Sequence, residues 1–136
     1  SSDGMELTRK TSPFYESWVS GSPYDLALAR GAIASRDFEA LAAVSEASCL
    51  RMHAVAMAAQ PGLVYWNGTT VECLHRVRAL REEGAPVFFT IDAGPQLKAI
   101  CDPAVSELVA ATLAGVPGVI EIVRCGLGDG ARVVED

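Results

Sequence analysis

The sequence has no cluster of basic residues, no paired cysteines and no apolar run of membrane length, and each absence removes a class of function. Its 11 Lys and Arg are outnumbered by 17 Asp and Glu, giving a net charge of −6. The arginines are scattered along helical patterns, which argues against a nucleic-acid surface. The same deficit means that an anionic substrate would have to draw positive charge from a few local groups or from another segment. Cys49, Cys73, Cys101 and Cys125 stand alone, mostly among apolar neighbours, so buried thiols are expected rather than disulfides or a zinc site. No apolar run approaches the roughly 18 residues of a membrane span. Ser1-Ser2-Asp3-Gly4 has neither the basic nor the apolar region of a signal peptide, and a cytoplasmic protein is expected.

What is present is a core. Of the 136 residues, 50% are hydrophobic and 21% charged, the composition of one soluble globular domain. Ser12-Pro13 and Ser22-Pro23 each join an N-cap residue to a proline suited to the first helical position. Two short helices are therefore expected, the first reaching Trp18 and closed by Gly21, the second turning Leu26, Ala29, Ala32 and Ile33 inward. Asp37 caps a longer helix over residues 38–59, where Phe38, Leu41, Val44, Met52, Val55 and Ala56 recur at helical intervals until Gln60-Pro61-Gly62 stops it. Residues 63–66 read as a strand or an extended link. Val71, Leu74, Val77 and Leu80 mark another helix, with Gly84 as its terminating residue. Asp102-Pro103 opens the last one, with Val105, Leu108, Val109 and Leu113 inward.

Strands are expected at residues 87–91, 97–101 and 119–123, and the stretch Gly126-Leu127-Gly128-Asp129-Gly130 is expected to turn the chain into Val133-Val134. This order predicts an α+β fold, an antiparallel sheet of about four strands covered by helices on one face. One domain over residues 1–136 accommodates it all. A first residue other than Met suggests a piece of a longer chain.

The stretch richest in chemistry is Val87-Phe88-Phe89-Thr90-Ile91-Asp92-Ala93-Gly94-Pro95. A β-branched and aromatic run of strand length ends at an acid followed by two small residues and a proline. Asp92 thereby stands at the end of a buried strand, on a turn where the backbone can come close to something small. Spacing alone leaves two readings open. One is a catalytic carboxylate held by a stiff turn; the other is an Asp that satisfies turn amides.

Other stretches carry less. Residues 126–130 have the glycines of a phosphate loop, yet neither a helix pattern nor a lysine follows, so a hairpin turn is expected. His53, within Arg51-Met52-His53-Ala54, and His75 lack a carboxylate or cysteine at i+3 or i+4 that would make a metal or relay pair, and both read as structural. Arg76, Arg78 and Arg81 with Glu82 and Glu83 form a solvated helix face. Ser1-Ser2-Asp3-Gly4-Met5 offers hydroxyls and flexible backbone amides able to hold a phosphate oxygen, though a frayed terminus explains the same residues.

Three stretches together resemble the diphosphomevalonate decarboxylase family, a branch of the GHMP kinase superfamily of small-molecule kinases. Thr90-Ile91-Asp92-Ala93-Gly94-Pro95 is similar to the family's T-x-D-A-G-P signature. Ser1-Ser2-Asp3-Gly4-Met5 is similar to its S-x-x-G-M segment, with Thr11-Ser12-Pro13 following, and Arg51-Met52-His53-Ala54 to its M-H-A or F-H-A helix. The resemblance implies a GHMP-kinase C-terminal domain and an ATP-dependent decarboxylation in the mevalonate route. There the 3-hydroxyl of mevalonate 5-diphosphate is phosphorylated, and loss of phosphate and carbon dioxide yields isopentenyl diphosphate. By the same resemblance Asp92 orients or deprotonates that hydroxyl, Ser1 is catalytic beside it, and Ser2, Met5 and Ala93 bind the substrate. ATP and Mg2+ would be held mainly by an N-terminal domain, whose Gly/Ser-rich loop and substrate-binding arginine have no counterpart here. A homodimer is implied, and the isolated chain is expected to be inactive.

Two departures keep alternatives open. Ser2 stands where bacterial members often carry an arginine, which fits a weaker phosphate grip or a substrate with one phosphate. Gln96 replaces the asparagine usual after D-A-G-P. The alternatives are a phosphomevalonate decarboxylase, a mevalonate kinase-like enzyme, or a non-catalytic dimerisation or ligand-binding module of the same fold.

Overall fold

The computed structural model describes residues 2–130, 132 and 133. Among them the elements run α1 (Ser2–Thr11), α2 (Tyr15–Ser35), α3 (Phe38–Met57), α4 (Gly68–Glu82), β1 (Val87–Ile91), β2 (Leu97–Cys101) and α5 (Ser106–Ala114), with a 3-10 turn at Pro103–Val105 leading into α5. The class is α+β, as the pattern predicts.

Capping chemistry sets most boundaries. The Asp37 carboxylate accepts the Ala40 N–H at 2.9 Å to open α3. Asn67 and Thr70 bond reciprocally at the start of α4, a capping box. Gly84 ends α4 with φ of 94°, a conformation glycine adopts without steric cost. α2 ends differently, on Arg36 at φ of 56°. The Arg36 N–H reaches the Ile33 carbonyl at 3.1 Å and the Asp37 N–H the Ala32 carbonyl at 2.9 Å, the paired bonds of a Schellman motif. Through this turn α2 folds back along α3, the most extensive seam in the molecule.

Several sequence expectations are corrected. α2 is continuous where two helices were expected: Gly21 does not stop it, and Pro23 lies inside it. An interior proline costs about 3 kcal/mol through the lost N–H and ring clash. The long seam with α3 offsets that cost, and the Ser22 hydroxyl donates to the Trp18 carbonyl at 2.9 Å in the same turn. Residues 2–4 form the first turn of α1 instead of a flexible end. Residues 63–66 are an extended link. Cys49 and Cys73 are buried thiols as expected, whereas Cys125 is exposed.

Among the described residues the sheet has two strands, not four. β1 and β2 are antiparallel, with Val87 opposite Cys101 and Ile91 opposite Leu97. Residues 119–123 keep the apolar pattern of a strand but form no ladder among the described residues, and Ile120 is fully exposed. Composition cannot supply a ladder partner, which is what makes a segment a strand. Residues 126–130 join no ladder among the described residues, and Val134, in the return arm of the expected hairpin, lies outside them.

Val87, Phe89 and Ile91 on the inner face of β1 are buried against Cys73, Leu74, Val77 and Leu80 of α4 and Val109 and Leu113 of α5. Each large apolar side chain so buried contributes about 1.5–3 kcal/mol. The outer face is covered at one end only. Phe38 of α3 packs on Phe88 with ring centroids 5.4 Å apart, while Thr90 is half-buried and Lys98 exposed. The sheet therefore opens at the end where Asp92 follows β1. No helix among the described residues is long and apolar enough to cross a membrane.

Candidate active site

β1 delivers Asp92 to the open end of the sheet, and a tight turn holds it there. The Asp92 carbonyl accepts the Gly94 N–H at 2.9 Å, so the chain reverses within two residues. The Pro95 carbonyl accepts the buried Thr70 hydroxyl at 2.9 Å, tying the turn to the start of α4. Ala93 is exposed beside the acid. The Asp92 side chain is 77% exposed, and one carboxylate oxygen lies 2.6 Å from the Lys98 ammonium. β2 places Lys98 directly opposite Thr90, so Thr90, Asp92 and Lys98 share the open face. So exposed an ion pair adds little to stability, about 0–1 kcal/mol. Its chemical effect is local: a cation stands beside an acid that solvent or a ligand can reach.

Behind the acid the backbone is gripped by α3. The Ile91 N–H donates to Cys49 Sγ at 3.2 Å, and the Cys49 thiol lies 3.5 Å from the Ile91 carbonyl. His53 Nε2 is 2.9 Å from that same carbonyl. Two lone pairs would repel at this distance, so Nε2 carries the proton and donates it. The Trp66 indole nitrogen, itself only a donor, lies 3.2 Å from the same Nε2. With the proton on Nε2 and given to Ile91, the approach of Trp66 is a packing contact, its ring tilted over the imidazole. Glu46, one turn earlier on α3, accepts the Phe89 N–H at 3.3 Å and pairs with Arg81 of α4 at 3.4 Å. Burial pushes the His53 imidazole below its usual 6.5, with the Ile91 carbonyl and the Asp92 charge pulling the other way. Burial likewise raises the Cys49 thiol, opposed by its bond to Ile91, so it acts here as a neutral hydrogen-bonding group.

The amino-terminal segment reaches the same cluster from the other side. Gly4 in α1 faces the Tyr65 hydroxyl so closely that a side chain there would collide with it. Tyr65 stands edge-on to His53 with ring centroids 6.0 Å apart. One chain of contacts thus runs from α1 through Tyr65 and His53 to Ile91. Ser2 is exposed at the start of α1 and Met5 half-buried one turn on, and neither bonds to Asp92. Ser1 lies outside the described residues.

Residues 1–117 match the family described as mevalonate 5-diphosphate decarboxylase C-terminal domain. The chain belongs to that family. A solved mevalonate diphosphate decarboxylase from Enterococcus faecalis is 36% identical with a TM-score of 0.80, over 84% of this chain and 36% of its own. A further solved structure, of MDDEF in complex with MVAPP, AMPPCP and magnesium, is 34% identical with a TM-score of 0.80, over 85% of this chain and 36% of its own. A curated phosphomevalonate decarboxylase from Haloferax volcanii is 38% identical over 66 residues, 48% of this chain. That match spans 20% of the curated relative, so the chain corresponds to a minor part of the proteins it resembles.

For a mevalonate 5-diphosphate decarboxylase C-terminal domain, the geometry adds residues that sequence reasoning passed over. Lys98 was signalled by the alternation of Leu97-Lys98-Ala99-Ile100, which puts a lone cation on the face of Thr90. Thr70, part of the capping box of α4, is also the anchor of the turn. Cys49 lies four residues before His53, on the same helical face, where a search at i+3 and i+4 does not look. The structural reading of His53 fits its burial, and His75 is exposed on α4.

Proposed function

We propose that this chain supplies the C-terminal half of the active site of an ATP-dependent decarboxylase that converts mevalonate 5-diphosphate to isopentenyl diphosphate in isoprenoid biosynthesis. The observation that carries the proposal is the Asp92 carboxylate, exposed at the end of a buried strand with the Lys98 ammonium at 2.6 Å. In the reaction Asp92 accepts the 3-hydroxyl proton as that oxygen attacks the terminal phosphoryl group of ATP. Phosphate then leaves C3, carbon dioxide leaves C2, and the electron pair of the broken C–C bond forms the double bond. The Lys98 ammonium pairs with the carboxylate before the proton is taken up.

Ser1, Ser2, Met5 and Ala93 are the proposed substrate contacts from this chain, with Ser1 beside the reacting centre. Among the described residues no three His, Cys, Asp or Glu side chains gather to hold a metal ion. By the resemblance to the family, ATP and Mg2+ are assigned mainly to the N-terminal domain of the same enzyme. A homodimer and a cytoplasmic location belong to the same reading.

The test is ATP-dependent carbon dioxide release by the full-length enzyme, with Asp92→Asn measured alongside. Loss of the base is expected to lower kcat by about 100- to 10,000-fold. An asparagine variant that turns over at the full rate removes the catalytic role, because an amide cannot accept the proton. A second reading, decarboxylation of the monophosphate, is favoured by the uncharged Ser2 and by the 38% identity to the Haloferax volcanii relative. Running the assay on both phosphorylated forms separates the two: the true substrate has the higher kcat/KM.

A further inference from the structure

The backbone of the strand that ends in Asp92 is bonded on both sides, and only one side is sheet. The Asp102 N–H donates to the Pro86 carbonyl at 3.0 Å, which sets the alternation of the hairpin. Phe88 and Thr90 bond across to β2, whereas Phe89 and Ile91 point their N–H and C=O groups away from it. Of those groups, the Phe89 N–H meets Glu46 and both Ile91 groups meet Cys49 and His53, which recur on one face of α3. A helix thus supplies with side chains the bonds that a third strand would supply with backbone. At Ile91 both backbone groups are held, by residues four apart on a rigid helix.

We infer that His53 and Cys49 are positioning residues for Asp92: by bonding the Ile91 N–H and C=O they fix the peptide from which the carboxylate projects, and so set its reach to the substrate hydroxyl. The inference rests on the decarboxylase reading above. A hairpin of two strands is pliable, and nothing in the exposed Lys98 pair restrains the backbone of Asp92. The bonds from α3 act one residue away, in a site where His53 is 2% exposed, so they are shielded from competing water. A displacement of about 1 Å at a reacting group costs up to 100-fold in rate. Trp66, tilted over the imidazole, holds the ring that makes the bond.

Full-length enzyme carrying His53→Leu, His53→Gln or Cys49→Ala tests this, with kcat and KM for the phosphorylated substrate measured separately. His53→Leu is expected to lower kcat by about 10- to 100-fold with little change in KM. Glutamine keeps an N–H donor at similar reach and is expected to restore most of that loss. Cys49→Ala, a smaller change that removes one buried sulfur, is expected to lower kcat less, and to lower it no further when Asp92 is already Asn. Wild-type kcat in both His53→Leu and Cys49→Ala overturns the inference. So does a loss of equal factor in the Asp92→Asn background, or a glutamine variant no better than leucine. Nitrogen-edited NMR of the wild-type enzyme reads the bond itself, whatever the enzyme turns over. A His53 Nε2–H signal protected from exchange is expected, and its absence overturns the clamp. A wild-type enzyme that shows the protected proton but releases no carbon dioxide with ATP overturns the decarboxylase reading, and with it the role assigned to the clamp.

Discussion

Replacing Gly4 with alanine tests how α1 is docked against the cluster that holds Ile91. A Cβ at Gly4 collides with the Tyr65 hydroxyl oxygen and lies 3.3 Å from Leu63 Cδ1. Overpacking of this kind costs about 1–3 kcal/mol. Against it, alanine in place of glycine within a helix gains about 0.5–1 kcal/mol, so the single variant is expected to lose roughly 1 kcal/mol. The collision involves one atom, and Tyr65→Phe removes it. In that background Gly4→Ala is expected to stabilise by about 0.5 kcal/mol, the tight contact with Leu63 cancelling part of the helical gain. The double-mutant cycle should therefore show a coupling of about 1–2 kcal/mol. Urea unfolding of the four proteins, followed by tryptophan fluorescence, reads it as shifts of the midpoint at constant slope. Additivity within about 0.5 kcal/mol refutes the placement of α1 against Tyr65.

Two other perturbations follow from the same coordinates. Arg36 occupies a left-handed position at the end of α2 that glycine fills without strain, so Arg36→Gly is expected to stabilise by about 0.5 kcal/mol, or about 1–2 °C in Tm by calorimetry; a lower Tm contradicts this account of the turn. Burial keeps the His53 imidazole neutral below its usual 6.5. The unfolded chain takes up a proton there that the folded chain refuses. Its share of stability is therefore full above about pH 6.5 and is lost as pH falls toward the folded value. Unfolding midpoints from about pH 8 to pH 5 should drop at the acid end, and drop less in His53→Gln; an unchanged profile in that variant assigns the acid sensitivity elsewhere.

The hairpin is legible because composition and turn chemistry agree: Val87 to Ile91 are β-branched or aromatic at every position, and Gly94-Pro95 follows the acid. α3 and α4 are legible from Asp37 and from the Asn67 to Thr70 cap, which carry their own mechanism. Pro23 misleads for a reason of scale. Local propensity there favours a helix start, and packing along the whole of α3 outweighs it. At the candidate site, the position of Asp92 at a strand end is visible in the chain. What surrounds it is not: the Cys49 and Ile91 groups that meet are 42 residues apart, and Lys98 reaches the acid only through the strand register. Contacts of that kind depend on where α3 lies, which the local pattern does not specify.

The difference between four expected strands and two observed ones has a physical reading in the edges of the sheet. At its acid end β1 is covered by α3, where Glu46 takes the Phe89 N–H and Cys49 and His53 take both outward groups of Ile91. β2 is the opposite case. By the same alternation Leu97, Ala99 and Cys101 point their backbone groups away from β1, and no bond to them is made among the described residues. An open row of donors and acceptors accepts a further strand readily. Residues 119–123 carry the matching surplus, an apolar segment of strand composition with no ladder of its own. At the acid end of the sheet, the edge of β2 is therefore the one open to enlargement. That leaves β1 as the outermost strand, and keeps Asp92 at a corner bounded by the helix that grips Ile91 and by the uncovered face that carries Lys98.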